Sequence, residues 1–108
     1  MTPELPPAKA RLCVLDGREK GAELQLTDRG SYTIGRARGC SLRLREISVS
    51  REHACVECDG SYFWLVDSGS HNGTLVNGEP IGRYMLHDGD LIRIGVIELE
   101  FRLDEQEG

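Results

Sequence analysis

A chain of 108 residues with 39% apolar residues, 13 glycines and only 4 prolines is long enough to bury one core without disulfide or metal support, and it lies far from a disordered composition. Its net charge of −5 opposes broad attraction to nucleic acid or to an anionic membrane surface. Four cysteines, Cys13, Cys40, Cys55 and Cys58, are too few for a disulfide scaffold, and no apolar run near the N-terminus resembles a signal peptide or a membrane span, so a cytoplasmic protein with reduced thiols is expected.

Met1 to Ala10 holds three of the four prolines and no periodicity, which predicts a mobile tail over 1–10; Thr2-Pro3 alone is thin support for a modification site there. Arg11 to Leu15 is a short apolar strand ending in the turn Asp16-Gly17, and Ala22 to Leu26 alternates with period two, so the two form a first hairpin-like pair. Ser31 to Ile34 is β-branched and aromatic and stops at Gly35-Arg36. Ser41 to Arg45 alternates, with Leu42 and Leu44 inward and Arg43 and Arg45 on a solvated face. Arg36 and Arg38 instead stand at a strand end, where side chains converge on ligands.

His53 to Cys58 and Ser61 to Asp67 are strands joined at Asp59-Gly60. The second is apolar on both faces and is expected to be core from Tyr62 to Val66. Cys55 and Cys58 have C-x-x-C spacing, but positions three apart on a strand face opposite ways and no second Cys/His pair sits at finger-like distance, so no metal site is expected. Thr74 to Val76 leads into the hairpin signal Asn77-Gly78. Asp88-Gly89-Asp90 turns the chain into Leu91 to Ile94, and Gly95 passes it to a final strand in which Ile97, Leu99, Phe101 and Leu103 alternate with Glu98, Glu100 and Arg102. No segment keeps a helical period, and turn signals recur as in a β-sandwich. The acidic residues 104–108 form a tail or linker, leaving 11–103 as the single domain.

The charge is uneven. From Arg36 to Arg51 five arginines face one acid, Glu46, a balance of +4, whereas from Glu98 to Gly108 five acids face Arg102, a balance of −4. Three donor-rich loops, Ile34 to Gly39, Ser48 to His53 and Asp67 to Gly78, are suited to share an anion site at one end of a sandwich. Arg36 supplies a fork of donors for a phosphate dianion, Ser50 a hydroxyl and Arg51 a backbone N–H. Gly35 and Gly73 permit close backbone approach, and Asn72 both donates to and accepts from a peptide backbone.

These residues resemble a known family. Gly35-Arg36, Ser50-x-x-His53 and Asn72-Gly73, the last within Asp67-x-Gly69-Ser70-x-Asn72-Gly73-Thr74-x-Val76-Asn77-Gly78, are similar to the forkhead-associated (FHA) domain over about Tyr32 to Gly95. The resemblance implies an all-β sandwich of about eleven mostly antiparallel strands whose loops at one end bind phosphothreonine in a partner protein, in kinase signalling and without a cofactor. It implies that Arg36 and Ser50 take phosphate oxygens, with Arg51 contributing, that Asn72 holds the peptide backbone, that His53 braces the loops, and that Gly73 leaves room for the threonine methyl. Arg38 and Ser48 stand where selectivity for flanking residues would arise. FHA domains are also often fused to further domains.

Where many family members carry Thr or Ser, this chain has His71, which suggests tighter binding as pH falls from about 7.5 to about 6.5. Ser41 replaces an Asp common after the equivalent of Cys40, with little effect expected. A hydrolase triad of Ser50, His53 and Asp67 or Asp88 is disfavoured, because Ser50 and His53 would face opposite ways on extended chain. A phosphate-independent docking or self-association module is the stronger rival, and a nucleic-acid module lacks exposed aromatics among its arginines.

Overall fold

The computed structural model describes residues 9–27 and 29–104. Eleven strands follow in chain order: β1 (Ala10–Val14), β2 (Glu23–Leu26), β3 (Gly30–Gly35), β4 (Leu42–Arg43), β5 (Ala54–Cys58), β6 (Phe63–Asp67), β7 (Thr74–Val76), β8 (Glu79–Pro80), β9 (Arg83–Met85), β10 (Leu91–Ile94) and β11 (Ile97–Leu103). They form two sheets, ordered β2-β1-β11-β10-β7-β8 and β4-β3-β5-β6-β9. Every pair is antiparallel except β3 and β4, where Ile34 lies beside Leu42 and Gly35 beside Arg43.

Period-two alternation builds the core between the sheets. Leu12, Leu26, Ile34, Leu44, Val56, Leu65, Ile92, Ile94, Leu99 and Phe101 are all buried, and Phe63 tilts against Phe101 with ring centroids 5.5 Å apart. Burying each such side chain stabilises the fold by roughly 1.5–3 kcal/mol. Asn77-Gly78 closes the β7–β8 hairpin with φ of 50° and 85°, the pair of positive values that the two-residue turn requires.

Three readings of the sequence change. Tyr62 to Val66 is not core on both faces: Phe63 and Leu65 are buried, but Tyr62 is 55% exposed and Trp64 and Val66 are half-buried on the outer face. The cause is that only one face of this sheet is covered by the other; the Arg83 guanidinium lies 3.9 Å from the centroid of the Trp64 ring and partly shields it. Leu103, expected inward, is exposed where β11 reaches the end of the sandwich. Ala10, placed in the tail by its prolines' neighbourhood, begins β1 and is fully buried opposite Leu103. The expected tails over 1–8 and 105–108, with Thr2-Pro3, lie outside the described residues.

Cys55 is half-buried and Cys58 buried, on opposite faces of β5 as their spacing requires, and all four cysteines are free. Burial, then the neighbouring Asp59 charge, pushes the Cys58 thiol up to about 11, a value that suits an unreactive core thiol. No helix among the described residues is long and apolar enough to cross a membrane.

Candidate functional site

β3 runs on past Gly35 as a pseudo-strand against the 50–51 segment: Arg36 N–H donates to Ser50 O at 3.0 Å and Ala37 N–H to Arg51 O at 3.1 Å. This approach needs a residue without a side chain, since a Cβ on Gly35 would press into the Arg51 carbonyl and sit 3.0 Å from Ser50 O. With the backbone so placed, Arg36 Nε donates to Val49 O at 3.0 Å, which aims the remaining guanidinium N–H groups of this exposed side chain outward. The arginine is thereby oriented before any ligand arrives.

His53 is fully buried and ties two loops together. Its Nδ1 accepts the Ser50 N–H at 3.0 Å, so the other ring nitrogen, 2.8 Å from Gly73 O, is the one that carries the proton and donates. Ser50 Oγ in turn accepts the His71 N–H at 3.0 Å, leaving its own proton free to donate. Asn72 Nδ2 donates to Ser48 O at 2.7 Å, and Ser48 Oγ accepts the Val96 N–H at 3.0 Å. The 36–41, 44–53 and 68–73 loops and the β10–β11 turn are thus joined at one end of the sandwich.

The sequence-derived site residues gather at this end of the sandwich, with Gly35 and His53 buried beneath the rest. Arg36, Ser50, Arg51, His71 and Asn72 meet across hydrogen-bonded loops, with Gly35, His53 and Gly73 behind them. Gly73 differs in kind from Gly35: nothing lies within 4 Å of a Cβ added there, and its glycine is demanded by a φ of +83°. Ser41, at the family's common Asp position, exchanges bonds with Thr33, its N–H donating to Thr33 Oγ1 at 3.0 Å and its Oγ accepting the Thr33 N–H at 3.1 Å. It anchors the 36–41 loop to β3.

No hydrolase triad is assembled. Ser50 and His53 meet through a backbone N–H rather than the hydroxyl, and Asp88 Oδ1 accepts the Leu103 N–H instead of facing a histidine. Asp67 is also engaged elsewhere, in a role that the sequence reading left unassigned. Its carboxylate accepts the Gly69 and Ser70 N–H groups at 3.0 Å each, the Ser70 hydroxyl at 2.5 Å and the Thr74 hydroxyl at 2.7 Å, while Ser70 Oγ accepts the Gly73 N–H at 2.9 Å. An Asp followed by Ser, Gly and Ser at a strand end is the turn chemistry that signals this arrangement.

Burial of Asp67 opposes its ionisation, but the donors from Ser70, Thr74 and Gly69 outweigh it, so its carboxyl ionises below the usual carboxylate range. Because the folded-state value is depressed, the carboxylate's contribution is fully present above the unfolded value of about 3.9 and disappears as pH falls through the folded one. Asp67→Asn is expected to destabilise the domain by about 1–3 kcal/mol at neutral pH. In urea titrations of both proteins, the gap should hold from about pH 7 to about pH 5 and narrow toward about pH 3; a gap independent of pH would refute the carboxylate's role.

A second omission is Arg43. An open cleft of ≈ 430 Å³ beside the loops is lined by Arg36, Ala37, Arg38, Gly39, Arg43 and Arg51, and Arg43 Nε donates to Arg36 O at 3.1 Å. Arg45, beyond the end of β4, is exposed as expected of a solvated position and pairs with Glu19 at 2.9 Å.

The family model described as the FHA domain matches residues 32–95. The chain is 36% identical over 104 residues to the glycogen accumulation regulator GarA of Mycobacterium tuberculosis, covering 96% of this chain and 64% of that protein. Among solved structures, one from a structural and functional study of phosphothreonine-dependent FHA domain interactions superposes with a TM-score of 0.84 at 38% identity, covering 91% of this chain and 99% of the other. The FHA domain of FhaA, complexed with the intracellular domain of another protein, gives a TM-score of 0.80 at 40% identity, with coverage of 86% and 99%.

Proposed function

This chain belongs to the FHA domain family, and from that premise we propose that it binds phosphothreonine in a partner protein or peptide through the 36–41, 44–53 and 68–73 loops. FHA domains are binding modules, so the chain is not an enzyme. The observation that carries the reading is the pre-set pair of Arg36, oriented by Val49 O, and Ser50, locked by His53 and His71. A dianion seated between them takes charge-assisted bonds from the guanidinium fork and the serine hydroxyl without rearranging either loop.

The remaining residues have defined parts in this reading. Asn72 exchanges its bond to Ser48 O for the peptide backbone and keeps its carbonyl oxygen as an acceptor. Gly73 borders the threonine methyl. Arg51, whose carbonyl is spent on Ala37 N–H, contributes its exposed side chain. His71 supplies its backbone N–H to Ser50, so its exposed ring is free for the phosphate. His71→Ala is therefore expected to weaken phosphopeptide binding, measured by peptide anisotropy; unchanged affinity would remove the imidazole from the site. The free cysteines fit a reducing cytoplasm, and the domain unit runs from Ala10, which opens β1, to Leu103 at the end of β11.

Titration with degenerate phosphothreonine, phosphoserine and unphosphorylated peptide libraries tests the function. Phosphothreonine is expected to bind best, the methyl contributing roughly 1–3 kcal/mol over phosphoserine, about a 5- to 150-fold preference, and the unphosphorylated library not at all. Equal binding of all three libraries, or of none, would overturn the reading and leave phosphate-independent docking.

A further inference from the structure

The arginines beside the phosphate site outnumber what one phosphate neutralises. Arg36, Arg38, Arg43 and Arg51 line the same ≈ 430 Å³ cleft, whose other walls are Ala37 and Gly39. In a chain of net charge −5, none of the four has a carboxylate within 4.0 Å among the described residues, whereas Arg11, Arg45 and Arg102 all do. A phosphothreonine carries a charge of about −1.5 to −2. Seated between Arg36 and Ser50, it leaves about two positive charges of the cleft unanswered.

Of the two surplus groups, Arg43 is held by its side chain and Arg38 by the backbone of its loop. Arg43 stands beside Gly35 in the parallel β3–β4 register and is held by its Nε bond to Arg36 O. Arg38 rides on a loop closed by Cys40 N–H to Ala37 O at 3.2 Å and by the Cys40 thiol to Arg51 O at 3.4 Å. Ser48, tied to Asn72 and the β10–β11 turn, is not among the residues that line the cleft. Like charges crowded in one cleft repel each other, and an anion entering it relieves that repulsion while gaining fork-shaped donors.

We propose that Arg38 and Arg43 form a second anionic subsite, so that the preferred ligand carries another negatively charged side chain near the phosphothreonine. This rests on the reading of the site given above. Arg43 Nε lies 3.1 Å from Arg36 O and both side chains line one cleft, so on an extended peptide, which advances about 3.3 Å per residue, the second charge belongs close in sequence to the phosphothreonine. Carboxylate and phosphate share the required chemistry.

The test is a positional scan. Phosphothreonine peptides with neutral flanks are compared, at about 0.15 M salt, with peptides carrying a single Glu or a second phosphothreonine at each flanking position in turn. The readout is the ratio of charged-flank to neutral-flank affinity within one protein, so general weakening of a variant cancels. The wild type should show a gain of about 5- to 10-fold at one or two adjacent positions, larger for phosphate if a second phosphorylated residue is the natural occupant and equal for Glu if an acidic one is. The gain should fall below about twofold in the Arg38→Gln/Arg43→Gln protein and persist in Arg45→Gln. A gain spread evenly over all positions, or one that survives the double substitution, would overturn the subsite. Failure of the neutral-flank phosphopeptide to bind at all would instead remove phosphothreonine recognition, and the subsite with it.

Discussion

Arg36→Ala is expected to reduce affinity for a phosphothreonine peptide by about 100-fold, close to 3 kcal/mol, because truncating one member of an oriented charge pair typically costs 2–5 kcal/mol. The variant should still fold. Arg36 is exposed and gives the core nothing but a single Nε bond to Val49 O, whose loss costs about 1 kcal/mol. Arg36→Lys separates charge from shape: it keeps the cation and loses the fork, so its affinity should fall between the two, at about a tenth of wild type. Calorimetric titration with one phosphopeptide, paired with thermal unfolding of each protein, checks both halves. Full binding by a folded Arg36→Ala protein would dismantle the site described above.

Gly35→Ala should act the other way round, on stability first and on binding as a consequence. The added methyl meets the Arg51 carbonyl well inside van der Waals contact and the Ser50 carbonyl at 3.0 Å. Neither carbonyl can retreat cheaply, since they accept from Ala37 and Arg36 N–H groups and the same segment is held by His53. We expect a loss of about 2–4 kcal/mol, the range of overpacking at a site that cannot relax. Gly73→Ala makes the contrast, costing about 1–2 kcal/mol from its φ of +83° with no steric conflict behind it. Urea unfolding midpoints of the two variants should therefore differ clearly, and Gly35→Ala should bind weakly even at temperatures where it is folded. If the two cost the same, close packing under the binding loops is not what requires Gly35.

Much of this was legible in the sequence because loop chemistry is local. Gly-Arg at a strand end, Ser three residues before His, and Asn-Gly after a Ser-rich turn each announce a backbone geometry and a donor set, and their order along the chain resembles one family closely enough to fix the fold. Period-two patterning carried the core equally well at Leu42, Leu44, Ile97, Leu99 and Phe101. It failed at Tyr62, Trp64 and Val66, because apolar residues on both faces of a strand do not say which face another sheet covers. It was silent about Arg43 for a related reason. Alternation states that the side chain points outward, but only the parallel pairing of β4 with β3 sets it beside Gly35 and within reach of Arg36. Asp67 was visible as a motif position, yet its four accepted bonds depend on a turn that brings Ser70 and Thr74 back to one carboxylate.

The pairing of the first and last strands has a mechanical side. Ala10 lies opposite Leu103, Asp104 N–H donates to Lys9 O at 2.9 Å, and Arg11 pairs with Asp104 at 2.6 Å, while the far end of the same strand pair, Val14 with Leu99, leads toward the turn that holds Ser48. Tension applied through the two flanks would therefore pull on neighbouring points and open β1 from β11 like a zipper, rung after rung, rather than shear the whole ladder at once. The loop that carries Ser48 and Ser50 lies beyond the last rung, joined to the turn before β11 through the Val96 N–H bond to Ser48. A tug on either flank would strip the Arg11–Asp104 clasp and the first backbone bonds long before it disturbed the grip on a ligand.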